Sequence, residues 1–193
     1  MRVETLCPDF RLLDSWRFPI TGAAGEFEAF LRVFAGNGVG TDSALANGLF
    51  KLRFLLGRWL RLDGGPALPI PGCTETSVGA RLDAADRQRD RGPIVGAGDA
   101  IGARPIYRFD DEALLEASNR TIHALLHLAW VEVEGQPGRY TAALRVYIKS
   151  RGRFSAAYMK VIQPFRHRVV YPAWFRRLRT AWELRPVADV SAR

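Results

Sequence analysis

The sequence predicts an α+β domain built as a strand, two helices, an antiparallel run of strands and one long closing helix. Three observations carry that prediction. Residues 139–149 alternate apolar and polar at period two, the signature of a half-buried strand. Residues 25–34, 44–62 and 154–182 instead repeat their apolar side chains at helical spacing. The 193 residues are 48% hydrophobic and 25% charged, ordinary for a globular chain. A chain of this length buries roughly 70% of its unfolded surface, so the core needs no disulfide or metal staples.

The elements follow in order. Phe10 to Ile20 reads as a first strand, with Pro19 expected to end it. Phe27, Phe30, Leu31 and Phe34 line one face of a helix over 25–34, which the Gly36-Asn37-Gly38 cluster should stop. Thr41-Asp42-Ser43 supplies capping residues for a second helix, Ala44 to Leu62. Its stripe of Leu45, Leu49, Leu52, Leu55, Leu56, Trp59 and Leu60 suits a core-facing helix.

Residues 63–104 contain eight of the 18 glycines and four of the 11 prolines, and so read as loop. A short strand at Val78–Leu82 is the only regular element expected there. Beyond Arg104 the pattern turns to strands at 104–109, 112–118, 120–133 and 139–149, separated by Asp110-Asp111, Asn119-Arg120 and Gly135-Gln136-Pro137-Gly138. Turns this short imply an antiparallel meander. Tyr140, Ala142, Leu144, Val146 and Ile148 share one face of the last strand; Thr141, Arg145, Tyr147 and Lys149 share the other.

After Gly152, residues Tyr158, Val161, Ile162, Phe165, Val169, Trp174, Leu178 and Trp182 form a helical stripe. Pro164 and Pro172 each lack a backbone donor, so a bend or break is expected near each. One domain over 1–185 with a frayed tail at 186–193 accounts for the whole pattern.

Charge and cysteine content narrow the function classes. The 28 Lys+Arg against 20 Asp+Glu give +8. Only Lys51, Lys149 and Lys160 are lysines, and such an Arg-rich, Ala- and Gly-rich balance is what a GC-rich coding sequence yields. No nucleic-acid partner is therefore expected, and the Arg residues around Trp174, Phe175 and Trp182 read as the solvated back of a core helix. Cys7 and Cys73 make neither a disulfide framework nor a zinc site, and no metal or cofactor is expected. Asp9, Arg11, Asp14 and Arg17 interrupt any signal-like run, and no stretch reaches about 18 apolar residues, so a cytoplasmic protein with no membrane span is expected.

Several motifs resemble a known bacterial family. They are Pro69-Ile70-Pro71-Gly72-Cys73-Thr74-Glu75-Thr76-Ser77, Glu116-Ala117-Ser118-Asn119-Arg120-Thr121-Ile122-His123 with His127, Tyr158-Met159, and Pro164-Phe165-Arg166-His167-Arg168-Val169-Val170-Tyr171-Pro172. Over residues 69–182 the chain resembles an uncharacterised domain-of-unknown-function family associated with the helix-grip superfamily of START, pollen-allergen and polyketide-cyclase-like domains. The resemblance implies a curved antiparallel sheet wrapped around the long C-terminal helix, to which the periodicity above adds two shorter helices after the first strand. Between sheet and helix it implies a cavity that binds a small hydrophobic molecule.

The meander also pairs chemistry. A two-residue turn at Asn119-Arg120 sets Glu116 directly opposite His123 and Glu112 directly opposite His127, all on one face. With Val133 opposite Tyr140, that face is the one turned to the helix and cavity; a one-residue slip would reverse it. A carboxylate bonded to an imidazole fixes its tautomer and raises its basicity, so Glu112, Glu116, His123 and His127 are the catalytic candidates for acid–base chemistry. The same pairs would equally serve as outer-face ion pairs or as buried groups satisfying one another. The two histidines, four strand residues or about 13 Å apart, are too distant to share a metal.

Tyr107, Tyr140 and Tyr158 are the ligand-binding candidates, as aromatic bodies with polar tips. The expected function is binding of a small, largely apolar molecule. The alternative is a non-redox cyclase, dehydratase or isomerase acting on a polyketide-like or other hydrophobic substrate. Ile122, Leu126, Leu128 and Trp130 are expected on the outer face, apolar enough there to support a homodimer.

Overall fold

A computed structural model describes residues 1–37, 76–93, 103–118, 122–150, 163–164 and 166–186. The expected helix at 44–62 lies outside these residues, as do Tyr158, residues 154–162 and the tail beyond 186. The described elements are α1 (Arg2–Leu6), β1 (Arg11–Gly22), a 3-10 turn (Ala24–Glu26), α2 (Phe27–Asn37), a second 3-10 turn (Val78–Arg81), α3 (Ala84–Arg89), β2 (Arg104–Arg108), β3 (Glu112–Ser118), β4 (Ile122–Val133), β5 (Gln136–Ser150), a π-helical turn (Arg166–Val170) and α4 (Tyr171–Glu183). The class is α+β. One five-stranded antiparallel sheet runs in the order β1-β5-β4-β3-β2, and the C-terminal helix packs on one face of it.

β1 does not end at Pro19. It continues to Gly22, because an edge strand tolerates a residue with no N–H and the register shift between Arg17 and Thr21 absorbs it. The Thr141 hydroxyl lies 3.1 Å from the Phe18 carbonyl and 2.8 Å from the Ile20 carbonyl, within reach of both at that irregularity. A second irregularity lies between Leu12, opposite Tyr147, and Asp14, opposite Val146. Leu13 is the extra residue of this bulge. Without it, Asp14 would point to the other face.

Val78–Leu82 is not a strand. The Ser77 side chain accepts from the Gly79 N–H and starts a 3-10 turn, and Asp83 then caps α3 by accepting from the Asp86 N–H. Pro172 does not break the last helix but sits in the first turn of α4, where a missing N–H costs little. The irregularity lies just before it, as the π-helical turn.

Both faces of the sheet are covered, where sequence alternation implied one. On the helix side, Phe18 and Ile20 of β1, Leu115 of β3, Leu128 and Trp130 of β4 and Leu144 of β5 pack against Phe27, Phe30 and Phe34 of α2 and Trp174, Phe175 and Leu178 of α4. On the other side, Tyr107, Leu114, Leu125 and Tyr147 lie under Val3 and Leu6 of α1, Cys7, Phe10 and Val78. The first five residues of β3 are accordingly buried without alternation. Leu126, Leu128 and Trp130 thus face the helices and not solvent, so the outer apolar face expected to support a homodimer is covered. Among the described residues no helix is long and apolar enough to cross a membrane.

Candidate functional site

All three histidines of the chain face a carboxylate. Two of these pairs are the ones expected from the meander, with two corrections. Glu116 lies opposite Leu125 and Glu112 opposite Ala129, because Ser118 lies opposite His123 and not opposite Thr121. The shift is by two residues, so each Glu keeps its face and reaches diagonally. Nε2 of His123 lies 2.7 Å from Oε1 of Glu116, and Nε2 of His127 lies 2.7 Å from Oε2 of Glu112.

The second correction concerns the face. Glu132, not Val133, lies opposite Tyr140, since the hairpin turns at Glu134-Gly135 and β5 is irregular up to Arg139. Gly135 and Gly138 both take left-handed φ values, 74° and 77°, that make this path accessible. A slip by one residue inverts the side chains. The Glu–His pairs therefore sit under α1 and residues 77–90, on the face away from α4.

There the carboxylates tie the cover down. Glu116 also accepts from the Ser77 hydroxyl at 2.6 Å and the Val78 N–H at 2.8 Å; Glu112 accepts from the Arg2 N–H at 2.9 Å. Burial acts to raise both carboxyls, but the hydrogen bonds from His127 and Arg2 to Glu112, and from His123, Ser77 and Val78 to Glu116, hold both below the ordinary carboxylate range. Around the rim, Arg2 bridges to Asp83 and Asp86, and Arg81 pairs with Asp9. His123 and His127 are 2% and 0% exposed, so neither meets solvent while the cover is down.

Tyr107 and Tyr140 are not brought together, and Tyr158 lies outside the described residues. Tyr107 is buried on the covered face and stacks on Phe109 with ring centroids 4.4 Å apart, its hydroxyl without a partner among the described residues. Burial, with the charge of Glu112, pushes its phenol well above the usual range. Tyr140 packs half-buried against the opposite, helix-side core.

The third pair was not foreseen. Nε2 of His167, in the π-helical turn, lies 2.8 Å from Oδ1 of buried Asp14, and the Tyr171 hydroxyl donates to Oδ2 at 2.8 Å. The bulge at Leu13 delivers Asp14 to this face. Trp16 meets the His167 ring at 5.2 Å, Tyr171 at 5.1 Å and Phe175 at 5.7 Å between centroids. The His167 side chain remains 35% exposed, and the buried indole N–H of Trp16 has no acceptor among the described residues. With Nε2–H donated to Asp14, the neutral imidazole keeps its lone pair on Nδ1. The sequence offered His167 only as part of a family motif; Asp14 lies 153 residues away, and no periodicity links them.

Elsewhere, a half-open groove of about 640 Å3 runs along the outer side of α4, between Asn37 and Ala173, Arg176, Arg177, Thr180, Ala181 and Leu184. Among the described residues no group of three or more His, Cys, Asp or Glu is placed to hold a metal ion. The model of one protein family, described as "Protein of unknown function (DUF2867)", matches residues 6–173. No curated protein and no solved structure matches the chain.

Proposed function

The chain belongs to this family of proteins of unknown function, whose description assigns no chemistry, and on that premise we propose that it binds a small, largely apolar molecule on the helix side of its sheet. One observation carries the reading: the aromatic group of Trp16, Tyr171 and Phe175 holds a buried indole donor with no acceptor among the described residues, beside a half-exposed, carboxylate-oriented histidine. An unsatisfied buried donor costs about 1–3 kcal/mol, which an acceptor carried by a ligand would offset. Apolar walls with a few convergent polar groups are the usual make-up of small-molecule sites.

The reading extends to the fold superfamily. A single antiparallel sheet with the C-terminal helix on one face is what the helix-grip, START-like and polyketide-cyclase-like arrangement requires, and it supports that assignment. A reducing cytoplasm suits the buried free thiol of Cys7.

Native mass spectrometry of the freshly purified protein tests the binding reading. A retained compound of a few hundred daltons is expected, lost on Trp16→Ala. A bare chain mass, together with no uptake of the aromatic ketone 2-tetralone, would remove it.

The rival reading is a non-redox cyclase, dehydratase or isomerase using Glu112, Glu116, His123 and His127. Their short Glu–His hydrogen bonds favour it, and it requires α1 and residues 77–90 to lift. Unchanged turnover of an identified substrate after His123→Gln and His127→Gln would exclude those histidines.

A further inference from the structure

We propose that His167 is a general base for proton transfer on a small apolar carbonyl compound, with Asp14 and Tyr171 as its positioning residues and Trp16 as the donor to the carbonyl oxygen. The inference rests on the binding reading and deepens it, by naming the substrate class and the reacting atoms.

Proton abstraction beside a carbonyl needs two groups: a base for the departing proton and a donor for the oxygen that gains charge. On the helix side these stand next to each other. The base is Nδ1 of His167, the ring nitrogen left for proton uptake while Nε2 is fixed against Asp14 at 2.8 Å. Asp14 is 4% exposed, so its carboxylate holds the imidazole with little competition from solvent. The Tyr171 hydroxyl, 2.8 Å from Oδ2, holds the second carboxylate oxygen and so fixes the orientation of the whole unit. The donor is the indole N–H of Trp16, buried and without an acceptor among the described residues, on a ring whose centroid lies 5.2 Å from that of His167.

The contrast with the other two histidines is physical. The carboxylates of Glu112 and Glu116 are occupied by backbone and hydroxyl donors of the cover, and their histidines are closed off from solvent. His167 is the pair member that solvent reaches, and it stands on a π-helical turn, a feature enriched at functional sites.

The step balances without a co-reactant. The C–H bond beside the carbonyl breaks, its electron pair forms the C=C bond of an enolate, and the carbonyl pair moves to the oxygen facing Trp16. The proton forms an N–H bond at Nδ1. Its return to the same carbon regenerates the ketone; its return to a conjugated carbon isomerises the substrate. Nothing is oxidised or reduced.

The test follows hydrogen–deuterium exchange at the carbon beside the carbonyl of 2-tetralone in D2O by proton NMR, with binding read by saturation transfer in the same samples. The native chain should accelerate exchange over buffer, and His167→Gln should lower that acceleration about 100-fold, the scale of general-base catalysis. Asp14→Asn should lower the exchange rate while the saturation-transfer signal of bound 2-tetralone persists, a split between turnover and binding that lost packing would not give. If His167→Gln does not fold, Trp16→Phe removes the donor: lost exchange supports the proposal, and unchanged exchange overturns it. Binding of 2-tetralone without accelerated exchange overturns this inference and leaves the binding reading standing. No binding overturns both. Exchange that survives His167→Gln but disappears with His123→Gln or His127→Gln in folded protein overturns it in favour of the covered face.

Discussion

The Glu116 carboxylate and the His123 imidazole share a 2.7 Å hydrogen bond across a diagonal of the sheet, each no more than 2% exposed. Because Glu116 also accepts from Ser77 and Val78, it joins three stretches of chain at one buried point. Removing one partner of such a unit strands the rest. Glu116→Ala is expected to cost about 3–5 kcal/mol, measured by guanidinium unfolding, and Glu116→Gln clearly less. Equal, small effects of the two would show that the pair holds nothing down.

Acid should loosen the same point. Glu112 and Glu116 both have folded-state pKa values below the ordinary carboxylate value near 4.5. Their contribution is present above that value and is lost as pH falls through the depressed values. Asp9 and Asp86, lowered by Arg81 and Arg2, act with the same sign. Unfolding free energy should therefore be flat with respect to these groups near neutrality and fall steadily below about pH 4.5. Glu112→Gln with Glu116→Gln should flatten part of that slope, and an unchanged slope would rule them out as its source.

Cys7 should be slow to react. It is buried, and burial raises its thiol to about 11, so little thiolate is present at pH 8. In a Cys73→Ser background, iodoacetamide should label the folded chain far more slowly than the unfolded one. Rapid stoichiometric labelling of folded protein would mean that α1 does not stay docked.

On the helix side, Leu128 is fully buried within the aromatic core. Leu128→Ala should cost about 2–5 kcal/mol through lost transfer energy and the cavity left behind. Thermal unfolding followed by circular dichroism reads it. A cost under about 1 kcal/mol would mean the core refills the space or is loosely packed.

The strands were legible where turn residues and alternation agreed. Asp110-Asp111 bounded β3, and the faces of Tyr140 to Lys149 were read correctly. The carboxylate–imidazole pairs were legible too, since a two-residue register error leaves every side chain on its own face. Their side of the sheet was not legible, because the β4–β5 hairpin turns one residue early and is irregular as far as Arg139. Val78–Leu82 misread as a strand because its apolar residues fit either period, and the capping role of Ser77 decided the outcome. The Asp14–His167 contact was out of reach for a simpler reason. It joins the first strand to the last helical segment through a bulge at Leu13, and nothing local in the sequence announces a bulge.

Both outer strands carry a proline and a break in register: Pro19 with two shifts in β1, and Pro105 with one in β2. A free strand margin that is long and regular is a template on which another chain can polymerise. These interruptions deny such a template a run of evenly spaced donors and acceptors. Straightening either margin, by replacing its proline with a β-former, should trade solubility for fibril-like association at high concentration.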